Sequence, residues 1–297
     1  MKIEKIQSFP LKEVDNKLIS KILDKNYIFE GEVNFLARVD DFHGEENTLT
    51  YVNNTEYLSK AIELGYKYIL TDQKDIDDDN AIFLLSNNPR EDFLKIVHFL
   101  NKNKKFKDLK NETGINLIKG NNVQIGNNVQ IGDNVEIGNN VIINDNTIIE
   151  DNVIIENFCV IGGRGHDVDT LKGELIYTGI HGGLYLGKNV LVRNFANIDS
   201  SIWGQNTVIE NNVAIDSNVL IGHDVHVSSG VKIRGGATIA GFSKIGKNSL
   251  IGLETVFTQR SEVGDNSFTS AGSIISKKYP ENSKILSYPP KIQKLSN

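Results

Sequence analysis

Aliphatic residues recur at every sixth position through the second half of the chain. Ile125, Ile131, Ile137, Ile143, Ile149, Ile155 and Ile161 form the first run. Four residues after each of the first six comes Val129, Val135, Val141, Thr147, Val153 or Cys159, and Gly often follows the Ile. Neither a helix nor an ordinary strand has this period. It fits a triangular coil in which each hexad is one flat face, so that about 18 residues complete a turn. The aliphatic residue points inward, the small residue fills the corner, and Gly or Asn takes the left-handed backbone there. Stacked turns then pair as parallel strands around a column of Ile and Val. The pattern predicts a left-handed parallel β-helix.

The period breaks once, at residues 162–183, GGRGHDVDTLKGELIYTGIHGG, a segment that must loop out. It resumes at Leu186, Val192 and Ile198, slips by one residue around Trp203, and continues from Ile209 to Ile275. Loops on rigid scaffolds often carry function, which makes His166 and His181 candidates for a lid or a sugar contact. Residues 1–110 lack the repeat. Segments 67–71 and 81–85 read as buried strands, and 89–100 reads as an amphipathic helix with Pro and acids in its first turn. The expected division is a small α/β domain over 1–110, the β-helix over 111–276, and a short aperiodic tail over 277–297.

The chain has 297 residues, enough for two domains. A net charge of -6 argues against a nucleic-acid partner, which selects basic surfaces. A single cysteine, Cys159, excludes a disulfide within the chain. Residues 1–10 mix Lys and Glu without the apolar core of a signal peptide. No apolar run reaches the ~18 residues of a membrane span. The expected location is cytoplasmic.

Six histidines are present. His223, in IGHDV, lies two places after an inward Ile and should face outward near a corner, where its titration range suits a general base. A solvated surface histidine is the plain alternative. His226, in the same hexad, should point elsewhere. Asp199 and Asp216 each follow an inward Ile, and either could orient a base, bind substrate, or simply close its own turn. Gly235-Gly236 and Ala240-Gly241 strip side chains from successive corners, leaving room for a long thin donor such as phosphopantetheine, or merely for tight turns. Lys232, Arg234, Lys244, Lys247, Lys277 and Lys278 could meet coenzyme phosphates. The γ-class carbonic anhydrases, also trimeric β-helix proteins, hold zinc through histidines five positions apart. His223 and His226 are three apart, so no metal site is expected.

With these residues in view, the chain resembles the UDP-3-O-acylglucosamine N-acyltransferases of lipid A synthesis and their relatives in surface-polysaccharide synthesis, from about Leu49 to Ile275. LTYVNNTEY (49–57) is similar to the family's uracil-binding stretch, which implies Tyr51 and Tyr57 as aromatic partners of the base and Asn54 as a polar contact. ANID (196–199) and Ile215-Asp216 are similar to substrate segments. VLIGHDV (219–225) matches the segment whose histidine is the catalytic base, and that histidine falls on His223. GGATIAG (235–241) resembles the acyl-donor wall. The sequence departs from the family at RGHDV (164–168), which lacks its aromatics, and at Arg260, which replaces a second histidine and is assigned to the donor site. It also lacks the family's helical extension after the β-helix. The resemblance implies a homotrimeric N-acyltransferase that joins an acyl group from acyl-CoA or acyl carrier protein to a nucleotide-linked amino sugar. The alternatives are a non-catalytic nucleotide-sugar-binding scaffold and a metal-dependent enzyme of the carbonic anhydrase type.

Overall fold

The computed structural model describes residues 11–41, 46–103, 110–178, 182–203 and 206–287. The repeat region is a left-handed parallel β-helix. Its short strands form three parallel sheets of nine, nine and eight strands, one per face. The first face runs through Ile131, Ile149, Leu186 and Ile209, the second through Ile137, Ile155, Val192 and Ile215, and the third through Ile143, Ile161, Ile198 and Ile221. The hexad aliphatics and the small residues four places later share one core that fills the prism. Burial of this apolar column is the main favourable term in folding.

The corners explain the abundance of Asn. Asn116, Asn122, Asn128, Asn134, Asn140, Asn146 and Asn152 all have φ between 55° and 61°. Asn tolerates this left-handed conformation better than other side chains. Its amide then bonds to the same position one coil on, as from Asn116 Nδ2 to Asn134 Oδ1 at 2.9 Å and from Asn134 Nδ2 to Asn152 Oδ1 at 3.3 Å.

Two expectations are corrected. The chain around Trp203 does not slip. Ile198 and Ile209 occupy the third and first faces in succession, as Ile161 and Leu186 do, so each pair spans one corner by a loop in place of the usual six-residue step. The segment after 276 is not aperiodic either. Lys278–Tyr279 and Lys284–Ile285 pair with the preceding coil, and Tyr279 and Ile285 pack on the core. A shortened corner disguised this last turn.

In the N-terminal domain, strands β1 (Phe35–Leu36), β2 (Thr48–Val52), β3 (Tyr68–Thr71) and β4 (Ile82–Leu85) form a parallel sheet in that order. Helices α1 (Asn16–Leu23), α2 (Thr55–Glu63) and α3 (Pro89–Asn103) accompany it. Both loops of the β-helix meet this domain. Ile202 and Trp203 join its core, with the Trp203 ring 6.1 Å from Phe93. The longer loop forms a hairpin of Val168–Leu171 and Glu174–Tyr177. Its Asp169 pairs with Arg90 of α3, and the Tyr177 carbonyl accepts from Asn101 Nδ2 at 3.2 Å. The hairpin is therefore a clamp that fixes one domain to the other. Among the described residues, no helix is long and apolar enough to cross a membrane.

The left-handed corner backbone has a measurable worth. Asn134→Ala should cost about 1–2 kcal/mol, the price of a left-handed alanine, while Asn134→Gly should lose much less. The shift of each denaturant midpoint reads this directly.

Candidate active site

One corner, between the third and first faces, gathers most of the chemistry. Asp199, His223-Asp224, Gly241-Phe242 and Arg260 occupy it on successive coils, because residues 18 apart stack, or 23 apart across the loop at Trp203. His223 does not face solvent as a bare corner residue would. Only 12% of its side chain is exposed. It is held between two glycines: a Cβ on Gly241 would lie 2.6 Å from its Cε1, and a Cβ on Gly165 would lie 2.6 Å from its own Cβ. These two positions must be glycine for the imidazole to fit as it does. The Phe242 ring stands edge-on to the imidazole, with centroids 5.1 Å apart at 87°.

Asp224 orients this histidine. Its Oδ2 lies 2.9 Å from His223 Nδ1, and its side chain is 2% exposed. Ser201 Oγ and the Ile202 N–H also donate to the carboxylate, and the Asp224 N–H donates to Thr207 Oγ1 at 2.8 Å. A carboxylate held this way selects the tautomer with the proton on Nδ1, leaving Nε2 as the basic nitrogen. Burial alone would lower the histidine pKa. The hydrogen bond and charge of Asp224, with the charges of Asp167 and Asp199, outweigh it and hold the pKa above the ordinary value. Burial pushes the Asp199 carboxyl upward, against the pull of His223 and a hydrogen bond from Asn197.

A cavity of about 290 Å³ lies in the N-terminal domain and is lined by Arg38, Asp40, Tyr51, Asn54 and Tyr57 among others. Tyr51 packs on Phe93 with ring centroids 5.0 Å apart, so it serves the domain core as well as the cavity wall. The Tyr57 hydroxyl donates to Asp40 Oδ2 at 3.2 Å. Asn54 is the N-cap of α2, and its Oδ1 accepts from the Tyr57 N–H at 2.8 Å. That leaves its NH₂ as the group able to meet a ligand. Two guanidinium groups lie between this cavity and His223. Arg38 donates to Asp167 Oδ1 at 3.1 Å and lies 5.5 Å from the Trp203 ring. Arg260 stacks 4.3 Å from Phe242 and donates to the Asp40 carbonyl at 3.4 Å.

Other candidates fall elsewhere. Asp216 is on the corner between the second and third faces, paired with Arg193 at 3.1 Å and accepting from the Ser217 N–H. Gly235 and Gly236 share that corner, away from Ala240 and Gly241. Gly236 has φ 72°, and the Glu254 carboxylate fills the space where its side chain would be. The six-residue step explains this: residues following Ile215, Ile221 and Ile233 cannot all lie on one corner. Within one subunit Gly235-Gly236 and Ala240-Gly241 therefore flank the third face on two different corners. Lys232 and Arg234 line a separate cavity of about 160 Å³ with Arg193 and Asp216. His166 is exposed, and His181 lies outside the described residues. His226 points from the first face, 2.7 Å from Glu210. Among the described residues, no group of three His, Cys, Asp or Glu could hold a metal ion.

Sequence reasoning missed Asp224, Asp167, Arg38 and Phe242 as parts of this site. Asp224 carried a signal, an Asp directly after the candidate base at a left-handed corner. Arg38 carried none, since a contact across 129 positions leaves no local trace.

A family model for bacterial transferase hexapeptides (six repeats) matches residues 120–149 and 129–163. No curated protein matches the chain. Among solved structures, the UDP-N-acetylglucosamine acyltransferase of Francisella novicida is 26% identical, with 60% of this chain and 63% of that one covered and a TM-score of 0.54. The enzyme of that name from Campylobacter jejuni is 23% identical over 57% of this chain and 66% of its own, with a TM-score of 0.45. The one from Bacteroides fragilis is 24% identical over 59% and 69%, with a TM-score of 0.45. The chain thus spans less than two thirds of the Francisella protein it matches. Repeats, sheets and this likeness agree on the fold: a hexapeptide-repeat left-handed β-helix carrying a small α/β domain.

Proposed function

We propose that the protein is an N-acyltransferase that moves an acyl group from a thioester donor, acyl-CoA or acyl carrier protein, to the amine of a nucleotide-activated amino sugar. The observation that carries this reading is the hydrogen-bonded His223–Asp224 pair, with side chains 12% and 2% exposed, joined through Arg38 and Arg260 to an aromatic-walled cavity sized for a base. A nucleoside in that cavity would bring the attached sugar toward the histidine. The Francisella protein is named for UDP-N-acetylglucosamine, which supports a nucleotide-sugar acceptor here and is silent on the amine.

The charges around His223 favour an amine over a hydroxyl. Asp167, Asp199 and Asp224 all act on the imidazole, and the same carboxylates would draw in an ammonium group. The amine must lose one proton before it attacks. As nitrogen bonds to the thioester carbon, His223 Nε2 takes the second proton. The C–S bond then breaks, and the imidazolium returns a proton to the leaving thiolate. We assign the oxyanion to the Gly241 backbone N–H, beside the imidazole, since the Ala240 and Phe242 N–H groups donate to the Phe257 and His223 carbonyls.

The reading includes a homotrimer. Phe158 and Phe195 occupy left-handed corners, at φ 60° and 62°, and are 50% and 56% exposed with rings stacked 5.0 Å apart. Exposed phenylalanines in a conformation that disfavours them make sense beneath another subunit. Ile142, Leu220, Val256 and Ile274 present further apolar surface from the adjoining third face.

Three outcomes follow. His223→Ala should lower turnover about 10²–10⁴-fold with an unchanged circular dichroism spectrum; near-normal activity would remove His223 from the chemistry. The base must be neutral to act, and its carboxylate neighbours hold its pKa up. The rise of kcat/KM with pH should therefore fall above the ordinary histidine value of about 6.5. Asp224→Asn should move that rise to lower pH while reducing the rate, and an unmoved profile would assign it to another group. Replacing Phe158 and Phe195 with Asn, which suits a left-handed corner, should leave folded subunits that sediment as monomers. A persistent trimer would locate the interface elsewhere.

A further inference from the structure

We infer that Arg260 belongs to the acceptor side of the site, where it recognises the phosphate bridge between nucleoside and sugar, and not to the acyl donor. This rests on the nucleotide-sugar reading above. The Arg260 guanidinium carbon lies over the Phe242 ring, 4.3 Å from its centroid, and that ring meets His223 edge-on. The guanidinium also reaches the carbonyl of Asp40, a wall residue of the Tyr51–Tyr57 cavity. Arg260 thus occupies the interval between the place for a base and the place for a reacting amine. In a nucleotide sugar that interval holds the ribose, the diphosphate bridge and the sugar ring.

The local charge agrees. Arg38, Lys60 and Arg260 bring three cations to this region, against the carboxylates of Asp40 and Asp167. Lys60 also holds Asp40 and Arg38 holds Asp167, and cations at the rim of the cavity draw an anion toward it. Stacking also leaves the edge of a guanidinium able to donate while fixing its plane, which suits the fork geometry of phosphate. Arg260 has a left-handed backbone, φ 63°, and its side chain reaches the N-terminal domain at the Asp40 carbonyl.

Coenzyme A also carries phosphates, so the test must separate the two sources. Calorimetry on the full chain would compare uridine with UDP, thymidine with dTDP, and pantetheine with CoA. Arg260→Asn is the informative variant, because Asn is at home in that corner and Arg260 is exposed. The wild-type protein should bind a nucleoside diphosphate at least about tenfold tighter than its nucleoside, the worth of a charged hydrogen-bonding group. In Arg260→Asn this preference should fall to within about threefold, with nucleoside and CoA affinities unchanged, and Arg260→Lys should restore part of it. A preference that survives in Arg260→Asn, or a loss confined to CoA, would overturn the inference. Nucleosides binding without any phosphate preference would overturn it and leave the acceptor reading standing. Binding of neither nucleoside nor diphosphate would sink both.

Discussion

Everything in this molecule hangs on the register between one coil and the next. Each strand pairs in parallel with the strand a turn later, so residues one coil apart lie directly above one another. A corner is therefore a continuous edge along the whole prism, and its chemistry can be assembled from residues far apart in the chain. The core enforces that register, since a one-residue shift would turn its aliphatics outward. Two loops leave the coil, and both leave at the edge that carries His223. One delivers Trp203 to the N-terminal domain, and the other delivers Gly165 and Asp167 to the histidine. The solenoid keeps its register across both interruptions, and the site is built from what they bring.

This arrangement gives the histidine properties that no exposed corner residue would have. Two glycines close on its ring, and a buried carboxylate fixes its tautomer. Burial and charge then compete over its protonation, and the carboxylates win. The same negative surroundings suit a substrate that arrives as an ammonium ion. The neighbouring region, with Arg38, Lys60 and Arg260, suits an anion. A molecule with a phosphate bridge at one end and an amine at the other matches this polarity.

The β-helix was legible because a six-residue period admits few other structures, and Ile125 through Ile161 repeat it without error. The final coil was not, because its corner is shortened and Tyr279 replaces the usual aliphatic residue. His223 stood out by its place after Ile221 and by its resemblance. Asp216 and Gly235-Gly236 lie on a different corner from His223, which a reading by residue type alone does not follow from hexad to hexad. The contacts of Arg38 with Asp167 and of Arg260 with Asp40 were beyond a linear reading. They depend on how two domains dock, and docking is set by surfaces that share no local pattern.

The most direct test of the account is the identity of the product. The full-length protein would be incubated with acyl-CoA or acylated carrier protein and a panel of UDP- and dTDP-linked sugars, each in its free-amine and N-acetylated forms. Mass spectrometry would then locate the transferred group. The account predicts an amide, formed only on the free-amine sugars and only with the nucleotide attached. An ester on a sugar hydroxyl, or transfer that ignores the nucleotide, would contradict it.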